Sequence, residues 1–283
     1  MSKELSGGYN LRPVWDALLE TYEVFAAICE KHGLRFCADC GTALGAIRHK
    51  GFIPWDDDLD VEMPRSDYER LKEIAQKELP SGYAWLDRFN CATYEQGFGK
   101  IIVTDAHKVD VVASESGLPL GQGIFIDIFP LDGFPDTKVG RFWRLVQNKI
   151  CEVELAFNKV LRVLRLVGDR EASRLRAHRK VVEYYEKRAK KYMFGSTELC
   201  VSIGVSRAFD DKPYHYKYFG TPQKVSFDKT EMYVQENVDG YLREMFGDYR
   251  QLPPFEKRHP GHGLEACRPW RLGPDMKNNK KVE

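Results

Sequence analysis

The chain lacks any run of about 18 uncharged apolar residues, the length a helix needs to cross a bilayer. Its first ten residues, MSKELSGGYN, lack the apolar core of a signal peptide. Cysteine is scarce and irregular: seven residues, an odd number without regular spacing, argue for a reducing compartment and against a disulfide framework. A cytoplasmic protein is therefore expected. Cys37 and Cys40 form a lone CxxC with no second pair to complete a four-cysteine zinc site. RFCADC reads as a buried strand rather than the start of a redox helix. His259 and His262, in RHPGH, stand in a Pro/Gly loop and not on one helix face, so they are not read as a metal pair. Net charge is also lacking. A balance of +1 over 283 residues gives no general field for nucleic acid. No internal repeat is present.

The chain is long enough for one sizeable core or two modest ones. Val14, Leu18, Tyr22, Phe25 and Ala26 share one helical face, and Gly33 closes that run, predicting a helix over 12–32. LRFCADC reads as a strand. Gly41 and Thr42 turn the chain into a short helix, TALGAIRH, and DLDVEM reads as a second strand ended by Pro64. Ser66 and Glu69 have capping-box spacing for a helix DYERLKEIAQKEL. Residues 97–112 and 122–130 read as further strands, and in the latter Phe125, Asp127 and Phe129 fall on one face. Short strands follow the middle of the chain, with a compact helix at NVDGYLREMFG. After DYRQLPP the polar tail GPDMKNNKKVE is expected to be mobile.

One stretch, WDDDLD at 55–60, sets four carboxylates among Trp55, Leu59 and, just beyond, Val61. If DLDVEM is a strand, Asp58 and Asp60 project to the same side. Carboxylates so close repel and stay ionised together only beside a cation. An oxygen-ligated divalent ion would supply it, Mg²⁺ being usual where phosphate is the other ligand and Mn²⁺ the variant such a site admits. Asp127, a charge in the middle of an apolar strand, is the candidate third carboxylate. Gly41 and Thr42 would offer backbone N–H groups and a hydroxyl to a phosphate. Arg48, Lys50 and Lys100 are the cations placed to neutralise one, with a plain surface role as the other reading of each. Cations beside a carboxylate-held metal suit phosphoryl-type transfer.

The run GTALGAIRHKGFIPWDDDLDVEMPRSDYERL closely resembles the signature of the LicD family, and FIDIFPLDGF and YLREMFGDYRQLPP match it as well. That resemblance covers most of 35–136 and 225–262. It implies an α+β protein with a nucleotidyltransferase-like fold, a small mixed β-sheet flanked by helices. It implies Asp58, Asp60 and Asp127 as metal ligands and catalytic carboxylates, with Asp56 or Asp57 as the alternative ligands, and Gly41 and Thr42 in the phosphate turn. The chemistry implied is Mg-dependent transfer of phosphocholine from a CDP-linked donor to a glycan, or lipid-linked glycan, hydroxyl. Asp127 would accept the hydroxyl proton and Arg48 or Lys50 would steady the leaving phosphate. A quaternary ammonium would want an aromatic cage, which no stretch of the sequence identifies. MYVQENVDGYL departs from the Pro-containing strand expected there, which bears on the choice of donor or acceptor. The rivals are a CDP-polyol donor, NTP-dependent nucleotidyl transfer, and a non-catalytic membrane-associated glycan-binding protein.

Residues 138–191 differ in texture. Val146, Ile150, Val153, Phe157, Val160 and Leu164 recur every three or four residues, a long amphipathic helix, and a second, more polar helix follows a Gly168-Asp169 break. This segment holds 16 Lys and Arg against 6 Asp and Glu, leaving 27 against 36 elsewhere. The expected organisation is a catalytic core over 1–137, completed by 193–266, with a basic helical insertion at 138–192 and a tail at 267–283. Either the apolar stripe of the insertion packs on the core, the reading its regularity favours, or the segment meets the inner face of an anionic membrane peripherally.

Overall fold

The computed structural model describes residues 10–91, 93–117, 123–164, 169–202, 212–255 and 258. The tail and the pair His259 and His262 lie outside the described residues. The apolar stripe of 12–32 forms α1 (Arg12–His32), which buries Leu18, Tyr22 and Phe25. Gly33, at φ 62°, ends it in the left-handed region where glycine meets no steric penalty.

The other elements follow in order: β1 (Cys37–Ala38), α2 (Cys40–Arg48), β2 (Asp60–Pro64), α3 (Arg65–Glu78), β3 (Tyr83–Leu86), β4 (Gly99–Val103), α4 (Ala106–Ser116) and β5 (Phe125–Phe134). Then come α5 (Lys138–Val163), α6 (Arg170–Ala189), β6 (Leu199–Ser202), β7 (Tyr214–His215), β8 (Gln223–Phe227), β9 (Thr230–Val234) and α7 (Val238–Phe246). One mixed sheet runs β1-β2-β5-β4-β3, with β6 pairing the far half of β5 and β7 pairing β6. Only β2 and β5 pair in parallel among the described strands. The ten residues of β5 thus serve two neighbourhoods. Its first half lies between β2 and β4, and its second half holds β6, so the chain after the helical segment returns to the same sheet.

Four local expectations are corrected. Residues 106–112 are helix, not strand: the Asp105 carboxylate caps the Lys108 N–H at 3.2 Å and Gly117 closes α4. The strand β3 was not anticipated. No capping box forms at Ser66 and Glu69, because α3 already begins at Arg65. Arg65 is drawn in by the buried Asp132 of β5, with its Nη2 2.6 Å from the carboxylate. Lastly, the apolar stripe of α5 does not pack on the core. Ile150, Val153, Phe157, Val160 and Leu164 are all exposed.

The core lies between α1, α3 and the sheet, with Ile126, Ile128 and Leu131 of β5 fully buried. The Asp169 carboxylate caps α6 at the Ala172 N–H; Gly168 lies outside the described residues.

Candidate functional site

The parallel pairing of β2 and β5 sets Asp60 directly opposite Asp127, and the Asp127 N–H donates to the Leu59 carbonyl at 3.0 Å. Asp127 shares its face of β5 with Phe125 and Phe129, as alternation requires, while Ile126 and Ile128 point into the core. Asp58 lies just before β2 rather than within it, so strand alternation does not place it. The loop does. The Trp15 indole N–H donates to the Asp56 carbonyl at 2.8 Å, the Asp56 N–H donates to Ile53, and Trp15 stacks on Phe52 at 5.2 Å between ring centroids.

That loop carries three consecutive carboxylates, Asp56, Asp57 and Asp58, with an oxygen of each within 4.8 Å of the others. Burial pushes the Asp60 carboxyl well above the usual carboxylate range, and the charges of Asp58, Asp127, Asp39 and Asp56 push it further. Burial and then Asp58 raise Asp56 in the same way. The carboxylates that come within ligand distance of one another among the described residues are thus Asp56, Asp57 and Asp58; Asp60 and Asp127, paired across β2 and β5, lie outside that group and near enough to be felt by charge.

The residues assigned to the phosphate turn are placed differently from expectation. Gly41 and Thr42 are not a turn ahead of a helix; they are the first turn of α2, which starts at Cys40 and is capped by the Asp39 carboxylate at 2.7 Å. Thr42 is buried, and its hydroxyl accepts the Asp60 N–H at 2.9 Å, fixing the start of β2. Gly41 faces the acidic loop so closely that a Cβ there would stand 2.6 Å from Asp56 Oδ2. Gly41→Ala should consequently displace the Asp56 carboxylate, cutting turnover on the order of 10²-fold. Thermal stability should change little, since no backbone atom is in the way. A kinetic assay paired with a melting curve checks both; unchanged kinetics would place Asp56 outside the working site.

The three cations also separate. Lys100 is buried, its ammonium ion-paired to Asp127 and seated 3.6 Å from the Phe125 ring centroid. Arg48 is half-buried and donates to the carbonyls of Tyr249 at 2.8 Å and Gln251 at 3.3 Å, so it ties the GDYRQLPP segment to α2. Lys50 is exposed, with its backbone at φ 58° and its carbonyl accepting the Asp228 N–H at the β8–β9 turn. A further cation joins them. Arg258 lies with its guanidinium 5.6 Å from the Trp55 ring, held by the Pro253 carbonyl.

Beneath the cluster lies an acidic layer that was not anticipated. Glu62 is fully buried, accepting from the Tyr214 hydroxyl at 2.6 Å and from Gln235 Nε2 at 2.8 Å. Asp39 is buried too, bonded by the Tyr241 hydroxyl. Burial raises the proton affinity of both, and each is near enough to be felt electrostatically: Asp39 raises Glu62 further. Alternation carries Asp60 two residues on to Glu62, so its direction is readable in the sequence; its partners, Tyr214 of β7 and Gln235 just after β9, are not. Cys37 and Cys40 are both free thiols, their pKa values pushed up by burial.

With that geometry in view, the likeness to known proteins has a structural meaning. Residues 33–168, which contain Asp39, the acidic loop and all of β5, match the family described as LicD/FKTN/FKRP, nucleotidyltransferase domain. Those residues carry a LicD-family domain. A relative, the lipopolysaccharide cholinephosphotransferase LicD of Haemophilus influenzae, is 28% identical over 259 residues, spanning 88% of this chain and 94% of that one. An uncharacterized protein of Rickettsia prowazekii is 33% identical over 76 residues, 27% of each chain. The human ribitol 5-phosphate transferase FKRP is 32% identical over 74 residues, 24% of this chain and 15% of its own. Likeness to the first LicD relative therefore runs through the basic helices and the C-terminal part, whereas likeness to the other two is local.

Proposed function

We propose that this chain transfers phosphocholine from a CDP-linked donor to a hydroxyl of a cell-surface glycan precursor, on a nucleotidyltransferase-like sheet. The observation that supports the proposal is the register that sets Asp60 opposite Asp127, beside the loop whose Asp56, Asp57 and Asp58 carboxylates cluster. The donor set is all carboxylate oxygen and strongly self-repelling, which fits a hard divalent cation such as Mg²⁺. Asp58, Asp60 and Asp127 would hold it, with Asp56 or Asp57 as the further ligand. When bound, the ion would neutralise charge on the donor diphosphate.

The chain's own groups do the rest. An acceptor hydroxyl attacks the phosphorus bearing choline, a new P–O bond forms, and the bond to the CMP oxygen breaks. The hydroxyl proton passes to Asp127, whose carboxylate Lys100 keeps oriented between Phe125 and Phe129. The CMP phosphate takes up the bond electrons. Arg48 and Arg258, beside Trp55 and Asp56, are placed to steady that charge, and exposed Lys50 can fold over it.

Choline is favoured over ribitol as the donor alcohol because the cholinephosphotransferase relative is matched along nearly its whole length and the ribitol 5-phosphate transferase over only 15% of its own. A mass-spectrometric screen of CDP-choline, CDP-ribitol and NTPs tests the proposal. The expected result is Mg²⁺-dependent CMP release from CDP-choline. Pyrophosphate release from an NTP would instead mean nucleotidyl transfer, and CMP release from CDP-ribitol alone would move the donor to a polyol. Glycan precursors are built at membranes, and the exposed face of α5 is the surface this protein offers one.

A further inference from the structure

The helices α5 and α6 pack on one another without burying the apolar stripe of α5. The buried side of the two helices is mixed: the polar Arg144, Asn148, Ser173 and Arg188 are buried along with Cys151, Val181, Tyr185 and Ala189. Arg188 donates to the Asn148 side chain at 2.9 Å, Asn158 to the Ser173 hydroxyl at 3.1 Å, and the Arg144 guanidinium lies 4.5 Å from the Tyr185 ring centroid. Apolar side chains point the other way. Phe142, Trp143, Ile150, Val153, Phe157 and Val160 form one stripe along α5, each at least half exposed, Val153 at 67%. A helix whose apolar face is needed for its own packing turns that face inward. Here the hairpin is held by a mixed side, and the apolar stripe of α5 is left to meet something else. At 1.5 Å per residue the 26 residues of α5 extend about 39 Å, a stripe far larger than scattered exposed side chains provide.

We infer that this stripe docks in the plane of an anionic lipid surface. Charge selects that occupant. The segment 138–191 carries ten more cations than anions on a body with the opposite balance. Helical position sets Lys138 and Lys149 along one edge of the stripe, Lys149 paired with Glu152 at 2.8 Å. Glu154, along the other edge, is neutralised by Lys180 at 3.0 Å. Phe142 and Trp143 sit together at one end, ring centroids 6.2 Å apart, where amphipathic rings suit the headgroup boundary. A second copy of the chain would set one strongly basic segment against another. No helix among the described residues is long and apolar enough to cross a membrane, so α5 lies on the surface and does not span it. Anionic lipid answers both the apolar stripe and the surplus of cations.

Flotation of the full chain with vesicles tests this separately from any transferase activity. Recovery should be at least tenfold higher with equal phosphatidylcholine and phosphatidylglycerol than with phosphatidylcholine alone, and 0.5 M salt should reverse most of it. The triple change Phe142→Gln, Val153→Gln and Phe157→Gln should lower recovery at least tenfold with an unchanged far-ultraviolet spectrum and melting temperature, since these side chains are exposed. Trp143→Phe should still float yet lose the fluorescence blue shift seen on binding. Equal recovery from both vesicle types, wild-type recovery of the triple variant, or a blue shift surviving in Trp143→Phe would overturn the inference. So would a concentration-dependent dimer in sedimentation that the triple variant abolishes, with no vesicle binding.

Discussion

Replacing Asp60 by Asn should remove at least 10³-fold of turnover while making the metal-free protein more stable. The two effects share one cause. Asp60 sits where four other carboxylates raise its proton affinity, after burial has already done so. Without a cation its charge is repelled on every side, and folding must either bear that repulsion or take up a proton. Asparagine has the same shape without the charge. The backbone bonds that set its position are untouched, since the Asp60 N–H still reaches Thr42 and its carbonyl still accepts the Asp39 N–H. In chelator, the variant should melt above the wild type by a few degrees, at roughly 2–4 °C per kcal/mol for a chain of this size. Adding Mg²⁺ should reverse the order, because only the wild type gains the RT ln(1 + [L]/Kd) that a bound ion supplies. Calorimetry with and without Mg²⁺ reads this directly. An Asp60→Asn protein that melts below the wild type in chelator would mean that the cluster is not self-repelling and that its carboxylates are paired in some other way.

How much of this was legible beforehand depends on whether the signal is local. The stripe of α1, the stop at Gly33 and the shared face of Phe125, Asp127 and Phe129 are periodicities that a short window contains, and each appears where expected. The acidic motif marked its own strand and loop. What it could not show is that Asp58 is placed by the Trp15 anchor and not by strand geometry, because Trp15 lies forty-odd residues away. Arg65 began its helix earlier than local capping rules suggest for a related reason: its partner, Asp132, belongs to another strand. The buried pair Asp39 and Glu62 is bonded by Tyr241, Tyr214 and Gln235, all from the last quarter of the chain. Amphipathicity carries a different limit. It shows that α5 has an apolar side, but the direction that side faces is decided by what α6 brings to the seam, and α6 brings Ser173, Tyr185 and Arg188. The regular stripe was read as core for want of that information.

Lys100→Met is the second large effect expected, and it separates a surface cation from a structural one. An exposed ion pair contributes at most about 1 kcal/mol. Lys100 and Asp127 are not exposed: their side chains retain 7% and 15% of their accessibility, and Phe125 closes over the ammonium. Methionine keeps the apolar stem in place but leaves Asp127 partly buried, opposite Asp60 and without a counter-charge. Removing one partner of such a pair costs about 3–5 kcal/mol, so the melting temperature in chelator should fall by about 10 °C. A double change, Lys100→Met with Asp127→Asn, removes both charges and should regain most of the loss, a coupling that a surface role could not produce. Because a divalent ion would compete with Lys100 for the same carboxylate, Mg²⁺ should raise the melting temperature of Lys100→Met by more than it raises that of the wild type. Equal Mg²⁺ responses would mean that Asp127 is not among the ligands. In that case the aspartate opposite Asp60 serves only to hold β4, β5 and β2 in register, and the site would have to be built from the 56–60 loop alone.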